Sequence, residues 1–278
     1  MKNLISLTEF NRQDVTQVLE VATQMRRVVL TAYKKGPQLI GHVVSGVWQK
    51  PCLSSTAFSL AAAYLSGTAM PVFGVEDVLS HCRSLDNMGV NTVVVSSEND
   101  NIVRQFASNA RCRVINGGSS QFDPIGVLAD LMTLMLKLDG LNNLSVLAVG
   151  NKEHNKITEL SHCLQLFDSN LVWYLPVEDF STPRKGIVLN SIETAFAGAD
   201  AVVDLGLQQF ADATKYYGTA GGISEKLIGK ARVDAPLLGA STVVDNIGIK
   251  QYAHSALSTR ESCYVSVAMA VLYMMTKN

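Results

Sequence analysis

The stretch VSGVWQKPCLSSTAFSLAAAYLSG, from Val44 to Gly67, reads as an apolar strand, a short polar loop and an alanine-rich helix. A helix that follows a strand in this way often binds an anion at its N-terminus, where backbone N–H groups have no partner within the helix. The loop contains no arginine, and Lys50 is its only cation. The stretch therefore predicts a strand–loop–helix unit shaped for an anion but with little positive charge.

The same alternation continues on both sides of this stretch. From Asn11 to about Tyr33, apolar residues follow i, i+3, i+4, i+7 spacing, which predicts an amphipathic helix capped by Asn11. Downstream, helical patterns follow the strand-like runs NTVVVSS, RCRVIN, LSVLAVG, LVWYLP and AVVDLG. Short strands alternating with helices predict βαβ units and largely parallel sheets, so the predicted fold class is α/β.

The segment LKLDGLNNLSVLAVG, residues 136–150, predicts a domain boundary. A helix ends near Asp139 and Gly140, two asparagines follow, and a new strand begins. We therefore expect a first domain over residues 1–138 and a second over residues 142–257. Residues 258–278 form a mostly apolar helix whose long buried face needs a partner, and we expect it to complete the first domain.

The composition excludes several classes of partner. The 278 residues include 23 Lys and Arg against 24 Asp and Glu, for a net charge of -1, so no basic field attracts nucleic acid or an anionic membrane. No apolar run reaches the ~18 residues that cross a bilayer, and the start MKNLISLTEFNRQD is unlike a signal peptide. We expect a cytoplasmic protein with no nucleic-acid or membrane partner.

The cysteines and histidines do not suggest a metal or redox site. The five cysteines are widely spaced without a C-x-x-C pair, and the five histidines show no metal-ligand spacing. We predict reduced, mainly buried cysteines, no metal and no cofactor.

The order of elements resembles the aspartate and ornithine carbamoyltransferase family. VINGGSSQFDPIGVLADLMTLMLKLDGLNNLSVLAVG, from Val114 to Gly150, resembles the family's domain junction, with an N-A-G-D-like turn, the H-P-T-Q position and a G-x-L-x-N-L-like turn. LISLTEFNRQDVTQVLEVATQMR resembles its opening helix. The resemblance implies two parallel-sheet α/β domains of the transcarbamoylase type, with the C-terminal helix returning to the first. It also implies a trimer with active sites between subunits, which transfers a carbamoyl group from carbamoyl phosphate to an amine.

The first domain departs from the family at each ligand position. Pro51 to Ser55 stand where the family has S-T-R-T-R, so both arginines are absent, and Pro51 also lacks a backbone N–H. Ser96 and Ser97 stand where the family has an arginine. H-P-T-Q is replaced by Asp123-Pro124-Ile125-Gly126. The loop that carries a serine and a lysine into the neighbouring subunit is absent after Gly67.

The second domain keeps one charge. Lys156 replaces an arginine, although lysine lacks the bidentate geometry of a guanidinium group. H-P-L-P-R aligns loosely with GASTV, residues 239–243, and keeps none of its residues. GTAGGISEKL, residues 218–227, stands where the family has a mobile substrate loop, and we interpret it as a flexible turn that ends in a Ser224 cap.

These comparisons leave five candidates for a changed ligand site, namely Ser54, Ser55, Ser96, Asp123 and Lys156, and no predicted catalytic residue. The candidates also have structural interpretations. Serines can cap a helix, Asp123 can cap one that has proline at its first position, and Lys156 can lie on a solvated surface.

Three functions remain open. The leading hypothesis is a transcarbamoylase-like pseudoenzyme that does not use carbamoyl phosphate, acting as a non-catalytic subunit or regulatory partner in a homotrimer or a mixed trimer with a related subunit. The second is an enzyme that uses a less anionic small substrate in the cleft between the domains. The third is a divergent transcarbamoylase with a relocated anion site, which would need cations such as Arg83 or Arg104.

Overall fold

The chain forms two compact α/β units. The computed structural model describes residues 2–74, 77–174, 185–206, 214, 217, 222–239, 242–245, 248–250 and 253–277. One unit comprises Met1–Met132 with Glu261–Asn278, and the other comprises Thr133–Arg260. This division lies within a helix, shortly before the boundary predicted between residues 138 and 142.

The first unit contains a four-stranded sheet in the order β2-β1-β3-β4, and all its neighbouring strands are parallel. Its strands are β1 (Val43–Trp48), β2 (Thr68–Phe73), β3 (Thr92–Ser97) and β4 (Arg113–Ser119). The helices that alternate with them are α1 (Arg12–Leu30), α2 (Leu53–Tyr64), α3 (Val78–Asn87), α4 (Asp100–Asn109) and α5 (Pro124–Leu138). The interior strands β1 and β3 are buried along most of their length, as expected when helices cover both faces of a parallel sheet.

Helix α1 begins where the sequence predicts. The Asn11 side chain accepts a hydrogen bond from the Asp14 backbone N–H at 3.0 Å, and the Asp14 carboxylate accepts one from the Asn11 N–H at 3.0 Å. This reciprocal capping box satisfies two N–H groups at the helix N-terminus. Five residues of the predicted apolar stripe form the buried face of α1, and the sixth, Val29, is only partly buried near the helix end: Val15, Val18, Leu19, Ala22 and Met25 are the buried five.

One core cluster of the first unit joins the sheet to helices α3 and α4. Strand β3 contributes Val93 and Val95, while α4 contributes Val103 and Phe106, all almost completely buried. Burying aliphatic and aromatic side chains contributes roughly 1.5–3 kcal/mol each. This packing fixes the strands whose carboxyl ends carry the candidate residues.

The second unit contains a five-stranded parallel sheet in the order β10-β8-β5-β6-β7. Its strands are β5 (Ser145–Gly150), β6 (Asn170–Tyr174), β7 (Ile187–Leu189), β8 (Ala201–Leu205) and β10 (Leu237–Leu238). The helices of this part of the chain are α6 (Ile157–Gln165), α7 (Ile192–Ala197) and α8 (Glu225–Ile228). Helix α9 (Leu257–Thr276) follows, and from Glu261 onward it belongs to the first unit.

The predicted α/β class with two parallel sheets is confirmed, and the structure adds a small third sheet. Two parallel sheets are present and the C-terminal helix returns to the first unit. The addition is a small third sheet, in which β11 (Thr242–Asp245) pairs parallel with β9 (Gly222–Ser224) and antiparallel with β12 (Gly248–Lys250). Such short strands have too few residues for a periodic pattern to predict them.

Candidate functional site

The candidate residues of the first unit lie where strands β1, β3 and β4 end. Val95 of β3 is level with Asn116 of β4, and Val47 of β1 is level with Val95. Because these strands are parallel, their carboxyl ends meet at one edge of the sheet. The start of α2, Ser96 and the turn after β4 therefore lie at the same edge, which is where ligands bind in open α/β sheets.

Ser55 caps helix α2. Its hydroxyl group accepts a hydrogen bond from the Cys52 N–H at 3.0 Å and donates one to the Cys52 carbonyl oxygen at 2.8 Å. Cys52 is the N-cap residue, and the side chain of Ser55 is buried. These two hydrogen bonds support the interpretation of Ser55 as a helix cap.

Ser54 is in a different position from its neighbour. Its side chain is 7% exposed, and its hydroxyl oxygen has no hydrogen-bond partner among the described residues. The indole nitrogen of Trp48, a residue only 3% exposed, is also without a partner in that part of the chain. An unpaired buried polar group costs about 1–3 kcal/mol, so two at one edge of a sheet need an explanation.

Both unpaired atoms lie beside Gly117. An ideal Cβ built on Gly117 would lie 3.3 Å from Ser54 Oγ and 3.5 Å from Trp48 Nε1. The Trp48 ring reaches this place by lying against the bare backbone of Gly46, where any side chain would overlap it. Glycines at two positions thus allow a large indole ring to bring its N–H to the same glycine of β4 that the serine hydroxyl approaches.

Ser96 connects two strand ends. Its hydroxyl group donates to the carbonyl oxygen of Gly118 at 2.9 Å. Gly118 has φ of 121°, a conformation that favours glycine, and its N–H donates to the Asn116 side chain at 2.9 Å. Ser96 therefore ties the end of β4 to the end of β3.

Asp123 caps helix α5. Its carboxylate accepts a hydrogen bond from the Gly126 N–H at 3.0 Å, and Pro124 occupies the first helical position. Asp100 lies at the start of α4, where it accepts hydrogen bonds from the Ser120 hydroxyl at 2.7 Å and the Gln121 N–H at 3.2 Å. These two carboxylates make this edge of the sheet unfavourable for an anion.

Arg104, one of the two cations considered for a relocated anion site, lies over the ring of Phe122 at 5.9 Å from its centroid. A guanidinium group stacked on an aromatic face is already in a favourable contact. Its use for an anion would require it to leave that ring.

Lys156 is buried, contrary to the interpretation of a solvated surface. Its side chain is 8% exposed, and its backbone N–H donates to His154 Nδ1 at 3.3 Å. Glu159 is completely buried three residues later at the start of α6. The local sequence predicted a surface because Lys152, Glu153 and His154 surround Lys156 on one side, whereas burial here is set by tertiary packing.

Tyr217 is a further buried polar residue near the end of β5. Its hydroxyl oxygen accepts a hydrogen bond from the Gly150 N–H at 3.2 Å. Burial raises the pKa of Tyr217, which keeps the phenol neutral. Sequence reasoning did not single out Trp48, Glu159 or Tyr217, and only Trp48, one of two tryptophans, had a visible signal.

The structure describes only part of two further segments of the second unit, the predicted flexible turn over residues 218–227 and the segment 239–243 aligned with H-P-L-P-R. Ser224 caps α8 as predicted, because its hydroxyl oxygen accepts from the Leu227 N–H at 3.3 Å. Residues 218–221 of the predicted flexible turn lie outside the described residues. In the segment aligned with H-P-L-P-R, Gly239 has φ of 116°, and residues 240 and 241 also lie outside the described part.

The described residues contain neither a metal-binding cluster nor a membrane-spanning helix. Within those ranges, no group of three or more His, Cys, Asp or Glu side chains could hold a metal ion. Among the helices described, none is long and apolar enough to cross a membrane.

Comparisons with known proteins agree with the fold. The family described as "Aspartate/ornithine carbamoyltransferase, carbamoyl-P binding domain" matches residues 2–135. The aspartate carbamoyltransferase catalytic subunit of Caldicellulosiruptor bescii is 24% identical over 304 residues, covering 100% of this chain and 98% of that protein. The corresponding subunit of Thermus thermophilus is 26% identical over 297 residues, covering 98% of this chain and 97% of its own.

Solved structures give the same result at lower identity. The ornithine carbamoyltransferase of Pyrococcus furiosus superposes with a TM-score of 0.81 at 21% identity, covering 98% of this chain and 96% of its own. The enzyme of the same name from Thermus thermophilus has a TM-score of 0.79 at 19% identity and covers 99% of both chains. At this identity the likeness shows a shared fold.

Proposed function

Because the chain belongs to the aspartate/ornithine carbamoyltransferase family, we propose that it is a pseudoenzyme that keeps the fold and does not use carbamoyl phosphate. Its role is that of a non-catalytic subunit or a regulatory or assembly partner. It acts in the cytoplasm as a homotrimer or as a mixed trimer with a related subunit.

The observation that carries this proposal is the chemistry of the first turn of α2. The Ser55 hydroxyl is already bonded to Cys52 in both directions, and the exposed Leu53 stands where the family's first arginine is expected. A charged hydrogen bond contributes about 1.5–3 kcal/mol, so two missing arginines correspond to roughly a 10²- to 10⁴-fold lower affinity for the phosphate group.

The exposed side chains of α2 and β2 support self-association. Leu53 and Leu60 of α2, together with Met70 and Phe73 of β2, are each more than a third exposed. Strand β2 is also an edge strand of its sheet. Exposed apolar side chains on two adjacent elements, one of them an edge strand, are typical of a protein–protein interface.

The experiment that tests the proposal is a titration with carbamoyl phosphate by isothermal calorimetry. The aspartate carbamoyltransferase catalytic subunit of Thermus thermophilus is the positive control. We expect heat from the control and none from this protein at millimolar ligand. Carbamoyl transfer to aspartate or ornithine above a no-protein blank would overturn the proposal.

A second candidate function is the use of a different, less anionic small molecule. The observation in its favour is that two buried polar atoms, on Trp48 and Ser54, have no partner among the described residues. Such atoms lower the stability of the protein unless a ligand satisfies them. A thermal-shift screen with amino acids, nucleotides and neutral metabolites tests it, because any ligand of the native state raises the melting temperature.

A further inference from the structure

Trp48 and Ser54 present an incomplete hydrogen-bond site. The indole N–H can only donate, whereas a hydroxyl group can donate or accept. Both atoms lie within 3.5 Å of the ideal Cβ position of Gly117, and neither has a partner among the described residues. A group that completes this site has to accept a hydrogen bond from the indole N–H, and the shared neighbour Gly117 makes the serine hydroxyl the second polar group within its reach.

The surroundings indicate that this acceptor carries no net charge. Trp48 and Ser54 supply neutral dipoles, Ser55 is occupied by Cys52, and the cation of the loop, Lys50, is exposed. At the same sheet edge Asp100 and Asp123 contribute negative charge. Moving an anion out of water to such a place costs far more than moving a carbonyl group, because the buried residues that the structure describes in the first unit include no cation to compensate for the lost hydration.

We propose that a small uncharged ligand binds here and places a carbonyl oxygen between Trp48 Nε1 and Ser54 Oγ, beside Gly117. This inference rests on the proposed function, in which carbamoyl phosphate is not the ligand of this turn. Neither polar atom is open to solvent in the structure. Entry of the carbonyl group therefore requires the first turn of α2 to move away from Gly117, and this movement is part of the proposal.

Gly117 has a specific part in this site. A Cβ at this position would contact both polar atoms and would also lie 2.8 Å from Val94 Cγ1. Because Gly117 has no side chain, the backbone of β4 forms one wall of the site. The donor groups, Trp48 Nε1 of β1 and Ser54 Oγ of α2, lie on the opposite side.

The two tryptophans allow a direct test in the full-length protein. In a ¹⁵N-labelled sample each indole N–H gives one signal, and Trp48→Phe identifies which one belongs to Trp48. Trp173 is the internal control, because its Nε1 already donates to the Lys185 carbonyl oxygen at 2.9 Å. Acetamide is the neutral probe, and acetate, of nearly the same shape, is the charged probe.

We expect acetamide to shift the Trp48 indole signal saturably and to leave the Trp173 signal in place. Acetate and inorganic phosphate should give no saturable shift. Ser54→Ala should weaken acetamide binding by about tenfold, equivalent to about 1.4 kcal/mol, through loss of one hydrogen bond. Ser55→Ala should leave acetamide affinity within a factor of two.

Each other outcome overturns a defined statement. A shift with acetate or phosphate at least as strong as with acetamide overturns the assignment of an uncharged ligand. No shift with any probe overturns the ligand site and leaves the proposed function standing. Carbamoyl phosphate is added as a further probe, and its binding to the protein overturns the proposed function itself. The titration itself is made on the wild-type protein, and a tryptophan variant is needed only once, to assign the two indole signals; Trp173→Phe gives the same assignment if Trp48→Phe does not fold.

Discussion

Ser55 and Cys52 form two hydrogen bonds with each other across the first turn of α2, at 3.0 Å and 2.8 Å. Ser54, the adjacent residue, forms none among the described residues although its side chain is equally buried. Two neighbouring serines thus have opposite roles, one stabilising the helix start and the other retaining an unpaired hydroxyl group.

Replacing each serine with alanine should separate these roles. Ser55→Ala should lower the free energy of unfolding by about 1 kcal/mol, because it removes the cap. Ser54→Ala should leave that free energy unchanged or raise it, because it removes a buried polar atom without a partner. Urea unfolding followed by circular dichroism measures both. A loss for Ser54→Ala as large as for Ser55→Ala would show that the hydroxyl has a partner in solution.

A single arginine should restore part of an anion site. Leu53 is 45% exposed at the start of α2, so Leu53→Arg can be accommodated without disturbing the core. We expect carbamoyl phosphate affinity to rise about 10- to 100-fold, the equivalent of one charged hydrogen bond at a helix N-terminus.

Leu60→Arg is the matched control for this change. Leu60 is also exposed on α2 but lies beyond the first turn. Calorimetric titration should detect tighter binding for Leu53→Arg alone. Equal gains from both variants would mean that net charge, and not the position beside the helix N-terminus, is responsible.

The sequence predicted what depends on local pattern and missed what depends on packing. The cap and apolar stripe of α1 were predictable because residues four apart in sequence share a helix face. The burial of Lys156 was not, since the residues before it in sequence are polar and burial depends on tertiary packing that the local pattern does not reveal. The position of Trp48 Nε1 was not predictable either. It depends on the register of β1, β3 and β4 and on the absence of side chains at Gly46 and Gly117.

A charge on β2 should prevent self-association if the proposed trimer forms through this surface. Met70 lies on the edge strand and is 44% exposed, so Met70→Glu places a carboxylate where an interface would have to exclude water. Light scattering after gel filtration should give a trimer for the 30.0 kDa wild-type chain and a monomer for Met70→Glu.

Met88→Glu is the control, because Met88 is exposed at the end of α3, away from α2 and β2 in sequence. This variant should remain a trimer. A monomeric wild-type protein would contradict the proposed assembly, and dissociation by Met88→Glu alone would place the interface elsewhere.

Asp86 should make the stability of the first unit sensitive to acid. Burial by itself would raise the pKa of Asp86, but hydrogen bonds from the backbone N–H groups of Arg111 and Cys112, at 2.9–3.1 Å, outweigh it and lower the pKa. A carboxyl group with a lowered pKa stabilises the folded state above its unfolded value of 3.8, and this contribution is lost as the pH falls through the folded pKa.

Asp86→Asn should therefore reduce the free energy of unfolding by about 1 kcal/mol at pH 7, less than for a fully buried charge because this carboxylate is partly exposed to solvent. The difference from the wild type should shrink as the pH falls below about 4, because the carboxyl group is then protonated in the unfolded state and, at its lowered pKa, in the folded state as well. Asp139→Asn is the control, since Asp139 is exposed and asparagine tolerates its φ of 56°. Urea unfolding at pH 7 and pH 3 measures both variants. A difference for Asp86→Asn that stays constant between the two pH values would mean that the amide disturbs the turn geometrically and that the charge of Asp86 contributes nothing.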